Sequence, residues 1–532
     1  MPRILYPTLL ALLLTALATA PLRADDALAR ALAQLAQNGE LRVGAARVRD
    51  SALLHEFYAA RAQQPAWTDP ASRANLLATV KGVESEGLRP ADYHLAALRA
   101  APPDEPAGAA AMELLRSDAL IRLAAHHLRG KLDPLSVEAE IDLHGPELGA
   151  DVIALLATAV ASGDIAGALQ RLAPQSPVYQ GLKRGLAEYR DIAARGGWPQ
   201  IPEGPTLRPG EHSPRVALLR QRLLASGDLA ADTGADPQFY DPALEAAVRH
   251  FQARHLLAAD AAVGKRTLAA ANVSVDARID QIRVNLERAR WLLHDLPPTH
   301  VLVDIAGFEV RYVREGVELL RSRAAVGRPY RKTPIFRSAI RYLEFNPTWT
   351  VPPTILTNDV LPEIRKNLGY LAKRHMRVLG ADGREVDPAT VDWRRYSGKN
   401  LPWVIRQDPG PQNALGQVKF MFPNAHAVYL HDTPERKLFL QAERAFSSGC
   451  IRIEEARRLA LLLLEAEGRS AAEVEAKFAD LKTQRVALAR PVPILLYYWT
   501  VAIEDDGDVL FKRDLYDRDA GLLAALDTTD GD

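Results

Sequence analysis

The chain has 532 residues, and 66 lysines and arginines balance 66 aspartates and glutamates, so the formal net charge is zero. With 48% apolar and 25% charged residues the composition is that of a folded globular protein and excludes a disordered one. Neutrality argues against a general nucleic-acid binder, which needs a basic excess to displace counterions. At roughly 150 residues per domain the length predicts about three domains.

At the N-terminus, Arg3, the apolar stretch Leu9 to Ala20 and the small residues before Asp25-Asp26 predict a secretory signal peptide over 1–24, cut after Ala24. The alternative is an uncleaved anchor, because the run from Ile4 to Ala20 is near the lower limit for a membrane span. Both readings place the body of the protein outside the cytoplasm. The single cysteine, Cys450, excludes a disulfide framework. A lone thiol in an oxidising compartment is either buried and inert or kept for its chemistry.

Residues 25–195 are rich in alanine and leucine at helical spacing, as in Ala119-Leu120, Leu123-Ala124 and His127-Leu128, which predicts a helical scaffold domain. His126, His127 and His144 have no partner cluster and are read as core or solvated residues. A Gly/Pro-rich linker from Gly196 to Gly210 follows. The unit at 210–273 resembles the small three-helix peptidoglycan-binding module. The matching residues are Ser213 to Val216, Leu219 to Leu223, Gly227, Ala246 to Val248 with Phe251-Gln252, and Val263-Gly264 to Thr267. Asp260-Ala261 replaces the usual Asp-Gly, so the last loop is expected to differ; a helical spacer that binds nothing is the alternative. A connecting helix is expected within 274–298, over Ile279 to Leu292. From 299 to 515 short β-type runs dominate: Val301 to Ile305, Val310 to Val313, Ala324 to Gly327, Ile340 to Phe345, Ile494 to Ala502 and Val509 to Lys512. The fold class expected is α+β and multidomain.

The chemistry concentrates in Tyr429-Leu430-His431-Asp432-Thr433 and Phe446-Ser447-Ser448-Gly449-Cys450-Ile451-Arg452. A helix is predicted over Glu454 to Leu464, which puts Cys450 just ahead of a helix N-terminus. There the amide groups and an imidazolium from His431 would depress the thiol pKa. Gly449 permits close approach to the backbone, and the N–H groups of Gly449 and Cys450 suit an oxyanion hole. Asp432 is the candidate to orient the imidazole, through its carbonyl if its side chain faces away. A buried inert cysteine and a metal site from His426, His431, Asp432 and Cys450 are the competing readings.

These residues resemble the L,D-transpeptidases with a YkuD-type catalytic domain, in particular the large periplasmic type with a helical scaffold and a peptidoglycan-binding module. The motif is His431 with Ser447-Ser448-Gly449-Cys450-Ile451-Arg452, and the likeness extends through Val303-Asp304-Ile305, Val326-Gly327, Thr333-Pro334, Asn346 to Pro353 and Asn413 to Gly416. Ser448 stands where many members carry histidine. The resemblance implies a periplasmic enzyme of cell-wall biogenesis in which Cys450 is the nucleophile and His431 the acid and base. It implies a thioester, release of D-Ala from a tetrapeptide donor, and a 3→3 cross-link between peptidoglycan stem peptides. No cofactor or metal is implied. Penicillin-binding proteins are implied as partners, and carbapenems as acylating inhibitors.

Arg452 is a candidate to hold a substrate carboxylate or to brace the loop. Tyr429 and Trp349 are candidates for the donor-groove walls, with a core role as the alternative, and Ser448 for substrate contact. The segment at about 357–403, carrying Lys366, Lys373, Arg374 and Arg377, matches a helical capping subdomain and presents either a basic lid or a solvated face. Two other functions compete: attachment of a lipoprotein to the wall by the same chemistry, and a catalytically idle peptidoglycan-binding scaffold.

Overall fold

The computed structural model describes residues 24–529 except 102–104, 138–140, 143–145, 232–235, 295 and 505. The expected signal segment and His144 lie outside the described residues. No described helix is long and apolar enough to cross a membrane.

The scaffold builds its own core around helix α1 (Pro106–Arg129), whose buried residues include Leu114, Leu115, Leu120, Ile121 and Leu123. Burial on most of its circumference explains why α1 lacks one clear apolar stripe. A proline opens it, and Gly130 at φ +85° closes it. His126 and His127 are core residues: His126 Nδ1 meets the Tyr93 hydroxyl at 2.8 Å, and His127 Nδ1 donates to the Leu123 carbonyl at 2.7 Å.

Helix α2 (Pro177–Ala194) ends the scaffold and lies against α3 (Val275–Leu292), the connecting helix. Helix α3 is polar in sequence yet almost wholly buried. Many of its polar groups find partners on both sides, although among the described residues Arg278 Nε, Arg288 Nη2 and Trp291 Nε1 are buried without one. Glu287 accepts the Leu132 N–H at 2.7 Å from the scaffold side, and pairs with Arg290 at 2.8 Å. Toward the other side, Gln281 donates to the carbonyls of Thr500 and Lys512, each at 3.0 Å.

The small module packs around Val216, Leu219, Leu223, Val248 and Phe251. Its last loop keeps a glycine-like backbone: Ala261 takes φ +61°, and its carbonyl accepts the Tyr240 hydroxyl at 2.7 Å. A left-handed alanine costs about 1–2 kcal/mol, which this buried bond helps to offset. The module docks through Arg254, whose guanidinium donates to Asp228 and, at 3.3 Å, to the Val509 carbonyl.

The β region forms one ten-stranded sheet. Its strands are β1 (His300–Asp304), β2 (Glu309–Arg314), β3 (Val317–Gly327), β4 (Ile335–Phe345), β5 (Val418–Met421), β6 (Leu430–His431), β7 (Ala445–Ser447), β8 (Ile451–Ile453) and β9 (Gln484–Tyr497). The order β5-β6-β8-β3-β2-β1-β9-β4 closes on itself because β5 also pairs with β4; β7 adds to β3. The scaffold contributes Ile141–Asp142 in parallel to Ile335 and Phe336. Closure leaves this ring of strands without a free edge. The predicted strand from Ile494 to Ala502 is in fact divided. Strand β9 ends at Tyr497, and Val501–Ile503 forms a separate hairpin with Val509–Phe511. The break falls at Thr500, whose N–H is taken by Asn285 at 2.9 Å and whose hydroxyl donates to Asp519 at 2.7 Å. Pro491 and Pro493 sit in or beside the register shift within β9, where strand prolines are tolerated.

Between β4 and β5 the chain builds an insert, 349–408, with its own core of Val351, Leu361, Ile364, Val378, Trp393 and Ile405. This is wider than the 357–403 expected, because the strands that close its small sheet, Trp349–Thr350 and Val404–Gln407, lie at its two ends.

Candidate active site

In the parallel pair of β6 and β8, Leu430 aligns with Ile451 and His431 with Arg452; both Leu430 and Ile451 are fully buried in the core. Side chains alternate along a strand. The opposite face therefore gathers Tyr429, His431, Cys450 and Arg452. The register continues one residue back, where the Ile451 N–H donates to the Tyr429 carbonyl at 3.1 Å. Sequence reasoning put Cys450 before a helix; the structure corrects this. Strand β8 intervenes, and helix α4 (Ala456–Glu465) starts only afterwards. The dipole of α4 therefore does not begin at the sulfur.

The consequence for the thiol is the reverse of the expected one. Burial raises the Cys450 pKa, against smaller lowering effects from the Tyr429 backbone and phenol, then from Arg452 and Lys419. His431 is buried and neutral; burial first, and the Arg452 charge second, bring it down to about 3. The resting sulfur is thus a thiol, 3.9 Å from the Ala427 carbonyl, on the same strand face as a neutral imidazole, not a thiolate beside an imidazolium.

The ring is held by backbone carbonyls. His431 Nδ1 meets the Asp432 carbonyl at 2.5 Å, and a carbonyl only accepts, so Nδ1 carries a proton; the ring is also within hydrogen-bond reach of the Leu415 carbonyl. The Asp432 side chain faces away, accepting the Gln417 N–H at 3.0 Å and pairing with Arg436 at 3.2 Å. Gly416 makes room for it: at φ +62°, a Cβ there would lie 2.4 Å from Asp432 Oδ2.

The nucleophile loop is held from several sides. The Ser447 hydroxyl donates to the Cys450 carbonyl at 2.6 Å and accepts the Gly449 N–H at 3.1 Å. The Gly449 N–H is therefore engaged, which removes it from the expected oxyanion hole in the resting loop. No bond is recorded for the Cys450 N–H among the described residues. Gly449 has φ +113°, a backbone that favours glycine. Thr333 donates to the Gly449 carbonyl at 2.8 Å and accepts the Gly327 N–H at 2.9 Å. Tyr516, just beyond the expected domain end at 515, donates to the Gly327 carbonyl at 2.7 Å and accepts the Thr333 N–H at 3.1 Å.

Tyr429 does more than line a groove. Its phenol is close enough to Cys450 for a hydrogen bond to the sulfur, and burial with the neighbouring thiol raises its own pKa. Its ring stands 5.7 Å from His431, and Lys419 Nζ lies 5.7 Å from the ring centre. Arg452 pairs with Glu435 at 3.4 Å and leaves a buried Nε without a partner. Ser448 Oγ accepts from Arg331 at 2.7 Å. Trp349 is not brought to the sulfur; it packs against the insert's core. Lys366 and Arg377 are paired inside the insert, with Glu363 at 2.7 Å and Asp408 at 2.5 Å. Sequence reasoning missed Arg331, Thr333, Ser447, Lys419 and Tyr516 as site residues. Only Ser447 and Thr333 carried a signal, through the motif and the Thr333-Pro334 pair.

One prediction arises here. Tyr429→Phe deletes a donor to the sulfur and should slow acylation of Cys450 about 10- to 100-fold, the range for a hydrogen bond to a charged group. Stopped-flow acylation with intact folding by circular dichroism checks it.

Comparison with known proteins assigns the three regions of the chain to families. Residues 298–475 match the L,D-transpeptidase catalytic domain, 212–271 the "Putative peptidoglycan binding domain" and 52–186 the scaffold domain. A "Putative L,D-transpeptidase" from Haemophilus influenzae is 34% identical over 255 residues, which is 47% of this chain and 51% of that protein. The chain thus spans about half the length of this curated relative. Among solved structures, an L,D-transpeptidase from Mycobacterium smegmatis aligns at 13% identity and TM-score 0.19, over 38% of this chain and 58% of that one. One from Xylanimonas cellulosilytica aligns at 16% and 0.18, over 56% and 99%. The chain carries an L,D-transpeptidase catalytic domain of the YkuD type, joined to a peptidoglycan-binding domain and a helical scaffold.

Proposed function

We propose that the protein is a cysteine-dependent L,D-transpeptidase that forms 3→3 cross-links in peptidoglycan. The reading rests above all on one observation: β6 and β8 present His431, its Nδ1 tied to the Asp432 carbonyl, on the same face as the only thiol in the chain.

The donor is a stem tetrapeptide whose third residue bears, on its L-centre, the carbonyl that is amide-linked to the terminal D-Ala. Cys450 attacks that carbonyl as its thiol proton passes to His431 Nε2. The Tyr429 phenol and the Cys450 N–H face the charge that builds on sulfur and oxygen. The tetrahedral adduct collapses, the C–N bond to D-Ala breaks, and the imidazolium returns its proton to the departing amine. A thioester remains. The side-chain amine of a second stem peptide then adds to the thioester and gives a proton to His431, and the sulfur leaves as the restored thiol. Water in place of that amine makes the reaction an L,D-carboxypeptidase.

Arg452 offers a cation for the carboxylates of the stem peptide. The peptidoglycan-binding domain holds the substrate polymer near the site, and the working compartment is the periplasm. Carbapenems acylate the same sulfur, and penicillin-binding proteins supply the first cross-links. The intact His431 and Cys450 argue against an idle scaffold, and the same chemistry on a lipoprotein lysine is the ranked alternative. Incubation with disaccharide-tetrapeptide tests the reading. A dimer lighter than two monomers by one D-Ala is expected by mass spectrometry. Unreacted monomer, with a lipoprotein lysine acylated instead, would favour the alternative.

A further inference from the structure

We propose that Arg331 is a latch that couples closure of the insert to the position of the nucleophile loop. This deepens the transpeptidase reading and rests on it.

The insert, 349–408, has a core separate from that of the sheet, so its placement against the nucleophile loop depends on surface contacts. Its first helical turns, Pro353–Ile355 and the π-turn Leu356–Val360, carry Asp359. A π-turn inserts an extra residue, re-aims the side chains around it and is frequent at functional sites. Arg331 Nη1 donates to Asp359 Oδ2 at 2.9 Å and to Ser448 Oγ at 2.7 Å. One nitrogen with two hydrogens thus joins the insert to the residue two before the nucleophile. Among the described residues this is the sole ion pair between the insert and the rest of the chain.

The latch is also built into the loop beneath the sulfur. Arg331 belongs to the turn that links Gly327 to Thr333, and its N–H donates to the Arg328 carbonyl at 2.8 Å. Thr333 in the same turn holds the Gly449 carbonyl. The Arg331 side chain is only 12% exposed and that of Asp359 45%, so the charge pair is partly shielded from water. A lifted insert frees the guanidinium from Asp359 and loosens the hold on Ser448. A closed insert fixes both. Arg331 is a positioning residue in this scheme: it acts through Ser448 and does not touch the reacting atoms.

The test uses the full chain, with hydrogen exchange across 349–408 and the rate of Cys450 alkylation by iodoacetamide as readouts. Neither requires transpeptidation, so both test the latch independently of that reading. Asp359→Asn, at a part-exposed position that does not threaten folding, should raise exchange in the insert and alkylation of Cys450 about fivefold, the scale of one partly exposed charge pair. Arg331→Gln should do the same, and Asp359→Asn added to it should change nothing further. Unchanged exchange and alkylation in Asp359→Asn would overturn the proposal. So would an effect of Asp359→Asn that persists at full size in the Arg331→Gln background.

Discussion

Replacing Cys450 by alanine should abolish dimer formation from disaccharide-tetrapeptide, a loss on the order of 10⁴-fold or more, while leaving the fold and binding to insoluble peptidoglycan intact. Removal of a nucleophile collapses a whole catalytic unit, which is why its effect exceeds that of any orienting residue. The small size of alanine opens only a thiol-sized gap on a part-exposed face, so melting temperature is a suitable control. A variant that still made the dimer would remove the sulfur from the mechanism.

The second large effect concerns His431 and pH. His431→Asn should lower kcat about 10²- to 10⁴-fold, the usual worth of a positioned acid–base group. The pH profile gives the sharper measurement. Burial and Arg452 bring the imidazole to about 3, so the base stays unprotonated from pH 7 down past pH 5. The acid limb of kcat/KM should therefore lie well below the ordinary histidine value of about 6.5. On the alkaline side burial raises the thiol, so Cys450 alkylation should titrate above the free-thiol value of roughly 8.5. The same depressed histidine destabilises the fold in acid. The unfolded chain takes up the proton near pH 6.5, the native state only near 3, so stability falls as pH drops through that window. An acid limb at the ordinary histidine value would mean that a solvated imidazolium, not this buried ring, does the work.

Much of this was legible in the chain. Helical spacing around Leu120 and Leu123 marked the scaffold, and the β runs near Val301 and Ile340 marked the sheet, because local periodicity reports which face is buried. His431 and Cys450 stood out by residue type. What stayed hidden depends on contacts far apart in sequence. Strand β8 is three residues long, too short to show a period of its own, so Cys450 reads as lying just ahead of the helix expected from Glu454, and the thiol's environment is inverted as a result. Tyr516 and Arg331 carry no local signature; their roles exist only because β3 and β8 are neighbours. The connecting helix was recognised as a helix, but its charged residues gave no hint that it would be enclosed.

That enclosure fixes the distance between the small domain and the sheet. An ordinary tether lets a binding domain sample a volume governed by chain statistics, and its benefit fades as the tether lengthens. Here α3 is clamped between scaffold and sheet, and Arg254 anchors the small domain to the hairpin beside it. The separation between that domain and the sulfur is a property of the solid structure. On the proposed function, a strand of wall material gripped at one end would meet the cysteine at one reach, as by a gauge block rather than a leash.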